Sequence, residues 1–134
     1  MRDELMNTKT KTGSRVDLKL ASKILGTVPY NNAFYFFTNI GQYNGACAVD
    51  LADFCQKVQT LDVRSVDFHF KRGDFEEWIR GTLCDVNLAN AISRIGENVQ
   101  GEELRAKIYQ TAAGRLTELK KMLGSKNPYI RRDG

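Results

Sequence analysis

Only two prolines punctuate the chain, Pro29 and Pro128, so residues 30–127 run without one. Proline removes a backbone donor and its ring clashes with the preceding turn, so such a stretch is open to uninterrupted helices. Starting and stopping then fall to glycine, asparagine and the short capping side chains. The apolar residues repeat to match. Val16, Leu20 and Ile24 with Leu18, Ala21 and Leu25 form a band broad enough for one helix, closed by Gly26 and Pro29. Asp50 stands as N-cap before Leu51, Phe54, Cys55 and Val58, spaced i, i+3, i+4 and i+7. Asp74 and Glu77 have capping-box spacing ahead of residues 75–83, where Phe75, Trp78 and Ile79 point inward. Asp85 precedes Leu88, Ala91, Ile92 and Ile95, with Gly96 as the stop. The longest pattern runs from about Gly101 to Leu123, with Leu104, Ile108, Ala112, Leu116, Leu119 and Leu123 in one stripe.

Two segments stay open at this level. The aromatic run Phe34–Phe37 suits a buried strand or a buried helix alike. In residues 66–70, Val66, Phe68 and Phe70 alternate as in a strand, although Ser65 can cap a helix there. Gly41, Asn44 and Gly45 signal a turn. The expected fold is mainly α: a compact domain of five to six helices over residues 15–124, with one short aromatic strand at 34–37 left open. Residues 1–14 are expected to form a flexible basic arm and 125–134 a flexible basic tail.

Composition narrows the class further. With 134 residues, 42% hydrophobic and 27% charged, the chain fits one globular domain, not a disordered, collagen-like or disulfide-scaffold chain. The net charge of +4 is uneven. Residues 1–25 carry +3 and residues 115–134 carry +4, whereas residues 26–114 carry −3. Basic ends can grip phosphate backbones, which makes Lys9, Lys11, Arg15, Lys126, Arg131 and Arg132 the nucleic-acid candidates. Neither end has a long like-charge run interleaved with aromatics, so solvated tails are the preferred reading. No secretory h-region and no long apolar run is present, and three cysteines make an odd count. The expectation is a cytoplasmic chain with reduced thiols and no membrane span.

Read in order, FYFFTNIGQYNGACAVDLADF, RSVDFHFKRGDFEEWI, CDVNLANAI and GEELR resemble a small prokaryotic domain-of-unknown-function family found in archaea and bacteria. The shared pattern is an aromatic run, a Thr-Gly turn, a capped helix, Ser-x-x-x-His, Asp-Phe-x-x-Trp and Asp-x-x-Leu-Ala, over roughly residues 33–119. The resemblance implies a mostly helical domain and carries over no activity, substrate or catalytic residue. Two positions depart from it: Asn44-Gly45 stands for Thr-Gly, and Cys84 stands for a glycine. A glycine there would end the preceding helix in a left-handed conformation, which cysteine adopts poorly.

Residues able to carry chemistry are few. His69 is the only histidine, with Arg72 and Asp74 close behind it and Trp78 one helical turn further on. These four are the ligand-binding candidates, although a histidine fixing the Gly73 turn is the preferred reading. Cys47, Cys55 and Cys84 lack zinc-ligand spacing, and the glycines of IGQYNG lack a phosphate-loop lysine. No metal, cofactor or catalytic residue is therefore expected. The leading functional expectation is a non-enzymatic protein-interaction or regulatory module. It would bind a protein partner or a second copy through the face of helix 101–123, with Tyr109 as an exposed contact. The alternatives are nucleic-acid binding through the basic ends and a small-ligand or enzyme site around His69 and Asp74.

Overall fold

Aspartates start three of the helices. Asp50 accepts the Asp53 N–H at 2.8 Å and opens α2 (Leu51–Thr60). Asp62 accepts the Arg64 N–H at 2.9 Å and opens α3 (Val63–Arg72). Asp85 accepts the Leu88 N–H at 3.1 Å and opens α5 (Val86–Ser93). Each carboxylate satisfies an amide that has no partner within its own helix. In the computed structural model, which describes residues 18–126, these are joined by α1 (18–24), α4 (Asp74–Gly81) and α6 (Gly101–Lys126). The expected arm and most of the expected tail lie outside the described residues.

The aromatic run becomes the first half of a β-hairpin. Strand β1 (Phe34–Asn39) pairs antiparallel with β2 (Gln42–Ala48), so the strand left open at 34–37 is longer and has a partner. Phe34 and Phe36 face the core while Tyr35 between them faces out, the two-residue alternation of a half-buried strand. The register shifts between Tyr35 and Phe37, where Gly45 with φ 88° absorbs the irregularity. Residues expected to form only a turn thus continue the sheet past a tight bend.

Residues 66–70 are helical, not extended. Asp62 takes the cap expected of Ser65, which instead lies inside α3, fully buried. Helical spacing wins here because Val66 and His69 are buried and Phe70 packs against the core, whereas Phe68 lies outside that cluster. The capping-box expectation at Asp74 is also overturned. Gly73, with φ 77°, is the N-cap of α4, and the Asp74 carboxylate is engaged elsewhere.

One core holds these elements together. Phe34, Phe36, Phe54, Phe75 and Trp78 form an aromatic cluster, with ring centroids 5.2 Å apart for Phe34–Phe75 and 5.3 Å for Phe54–Phe75. Helix α6 lays Leu104, Ile108, Ala112 and Leu119 against α2, α3 and α5, all four buried. Burying such a side chain contributes about 1.5–3 kcal/mol, so this stripe is a main source of stability. The apolar stripe of α6 is thus spent on the core among the described residues, and Tyr109 is itself half-buried against it.

A buried ion pair locks α6 onto the start of α5. Arg115 donates from Nε to Asp85 Oδ2 at 2.7 Å and from Nη2 to Oδ1 at 3.0 Å, while Asp85 is 1% exposed. Beside it, Cys84 adopts a left-handed φ of 66°, at the position where the resembling pattern has glycine. Among the described residues it is the one non-glycine in that region.

Candidate functional site

The Gly73 turn brings together residues that helical spacing alone keeps apart. His69 lies in the last turns of α3, Arg72 ends it, and Asp74 begins α4. Because the chain reverses at a left-handed glycine, Asp74 returns to within 2.8 Å of His69 Nδ1 and 2.9 Å of Arg72 Nε. Both groups meet the same oxygen, Oδ2. On its other side, His69 Nε2 lies 2.8 Å from the backbone nitrogen of Phe37 in β1.

That contact assigns the tautomer. A backbone N–H can only donate, so Nε2 must accept and carries no proton. The proton therefore sits on Nδ1 and is donated to Asp74. Burial pushes the His69 pKa below its ordinary value, with the Asp74 carboxylate opposing and the Arg72 charge adding to the fall. His69 is 4% exposed and both of its nitrogens are engaged. It ties the hairpin edge to the joint between α3 and α4 as a neutral imidazole.

This tie forms one wall of an open groove of about 530 Å³ between the hairpin and helices α3 and α4. Phe34, Phe37, Phe68 and Trp78 supply aromatic walls, Arg72, Asp74 and Glu77 supply charge, and Ile40 stands on the rim at 77% exposure. The four residues singled out from sequence, His69, Arg72, Asp74 and Trp78, all line this groove. The polar ends of two of its aromatic residues are engaged: Trp78 Nε1 donates to the Asn32 carbonyl at 2.8 Å, and the Tyr35 hydroxyl, on the exposed side, donates to the Tyr30 carbonyl at 2.6 Å. The Arg72 guanidinium lies 5.0 Å from the Phe68 ring centroid, a cation–π distance.

His69 is not placed to act as a general base. A general base needs a lone pair facing a substrate, and the only imidazole lone pair here faces Phe37. No cysteine lines the groove, and burial pushes the Cys55 thiol up to about 11. Among the described residues no three His, Cys, Asp or Glu side chains are grouped to hold a metal ion.

Sequence reading does not single out Phe37, Phe68 and Ile40, and it gives Glu77 to capping and ion pairing; all four line the groove. The i, i+3 spacing of Asp74 and Glu77 puts both carboxylates on one face of α4, a spacing that reads equally as a capping box. The other three arrive with the hairpin and α3, and nothing local marks them. Of the nucleic-acid candidates, Lys9, Lys11, Arg15, Arg131 and Arg132 lie outside the described residues, and Lys126 is the last residue of α6. No helix among the described residues is long and apolar enough to cross a membrane. No protein-family model, no curated protein and no solved structure matches the chain.

Proposed function

We propose that this chain is a non-enzymatic protein-recognition module acting in the cytoplasm, and that its contact surface is the groove between the hairpin and α3–α4. The carrying observation is the convergence of His69, Arg72, Asp74 and Trp78 on one open, aromatic-walled groove whose only imidazole is fully engaged. Exposed Tyr35, Ile40 and Tyr43 lie on the adjoining hairpin, with exposed Tyr30 just ahead of it, and exposed apolar patches mark interaction sites. The stripe of α6, the first choice from sequence, serves the core instead.

The test is a pull-down from native lysate with and without nuclease, using the full chain and its Ile40→Asp variant as baits. A stoichiometric protein that survives nuclease and is lost with Ile40→Asp supports the module. Recovery that vanishes with nuclease transfers the role to the basic ends and nucleic acid. Equal recovery on both baits, or none, overturns the groove as the contact surface.

A further inference from the structure

The chemistry of the groove also specifies the charge of what it receives. Arg72, its one cation among the described residues, is paired with Asp74 through Nε and lies against the Phe68 ring. His69 is neutral. Among the described residues nothing donates to Asp74 Oδ1, nor to either oxygen of Glu77, one turn along the same face of α4, and the other polar side chains of the lining, Tyr35, Asn39 and Thr82, are neutral. The groove thus holds two carboxylates against one guanidinium, with aromatic rings beside them. Residues 26–114, which include every groove residue, carry a net −3. An ammonium or guanidinium on an apolar stem matches this surroundings twice, by charge to the carboxylates and by stacking and cation–π contact with the rings.

We infer that the groove binds a basic segment of a partner protein, placing an arginine or lysine side chain between Glu77 and Asp74 with its stem along Phe37, Phe68 and Trp78. This rests on the recognition function proposed above and names the chemistry of its partner. Asp74 and Glu77 are binding residues here, and no bond is made or broken.

The experiment is selection of a randomised peptide display library on the immobilised full chain and, in parallel, on its Glu77→Lys and Ile40→Asp variants. Enriched peptides are then titrated against the free protein by fluorescence of Trp78, the only tryptophan and a groove residue. The expected peptides carry Arg or Lys at one fixed position. Their Kd rises at least about tenfold on Glu77→Lys, and binding weakens with added salt as exposed charge pairs are screened. Glu77 is exposed and its side chain bonds nothing among the described residues, so Glu77→Lys keeps the fold; unchanged circular dichroism and thermal midpoint verify this. Enriched peptides without basic residues, lost on Ile40→Asp but retained on Glu77→Lys, overturn the charge assignment and leave groove recognition standing. No enrichment over a blank support, or enrichment equal on all three baits, overturns both.

Discussion

Two of the centres that pair an aspartate at a helix start with an arginine, those at Asp85 and Asp74, differ in nearly everything else. At Asp85 the carboxylate is 1% exposed, caps α5 and takes two bonds from Arg115, which reaches it from thirty residues away. At Asp74 the side chain keeps 22% of its surface, takes one bond from its near neighbour Arg72 and one from His69, and leaves Oδ1 toward an open groove. The first is closed by packing on all sides and can only hold the fold. The second holds the fold with one oxygen and presents the other. The same residue pair is therefore structural or available according to what packs over it.

The comparison breaks most severely at Arg115. Arg115→Ala leaves Asp85 as a buried charge without its counterion, and should cost about 3–5 kcal/mol, read as a shift in the urea midpoint. Asp85→Ala together with Arg115→Ala should cost much less than the two single losses added, because one interaction is removed twice. His69→Leu comes next. It strands the Phe37 N–H and removes a donor from Asp74, for about 2–3 kcal/mol, and it should loosen the groove as well. Hydrogen exchange at Phe37 in that variant should accelerate while exchange in α6 slows or speeds only with global stability.

The third effect depends on pH. The native His69 pKa lies below the ordinary 6.5, with burial as the main cause. Between the two values the unfolded chain binds a proton that the native chain refuses, so stability falls as pH drops below about 6.5. The slope from this residue is at most about 1.4 kcal/mol per pH unit, and it ends at the native pKa. Urea titrations across that range should show the slope in the native sequence and lose it in His69→Leu. Cys84→Gly is smaller and opposite in sign. It relieves a left-handed cysteine next to the buried centre and should stabilise by about 0.5–1 kcal/mol, seen as a raised thermal midpoint. Glu77→Gln, at the open centre, should change stability by no more than about 0.5 kcal/mol while weakening basic-peptide binding.

Much of the helical frame is legible in the sequence because its signals are local. Asp50 and Asp85 cap where their positions ahead of an apolar period say they should, and α6 follows its stripe. Ambiguity arose where one segment satisfies two periods: Val66, Phe68 and Phe70 alternate, yet packing selects the helix that buries His69 and Val66. The hairpin was half visible, since β2 carries Gly45 and Asn44 where a turn is expected and only pairing with β1 reveals it as a strand. The site was legible as a list of nearby residues, because His69, Arg72, Asp74 and Trp78 are close in sequence. Its shape was not. The His69–Phe37 bond spans 32 positions and the Asp85–Arg115 pair spans 30, and no spacing rule reaches that far.

The direct measurement is a nitrogen-15 spectrum of the His69 ring, which is unambiguous because the chain has one histidine. The expected spectrum at neutral pH shows a proton on Nδ1 in slow exchange, a bare Nε2 coupled to the Phe37 amide, and a titration displaced to lower pH than that of an ordinary histidine. A proton on Nε2, or an imidazolium already present at neutral pH, contradicts the engaged histidine and reopens the groove to acid–base chemistry.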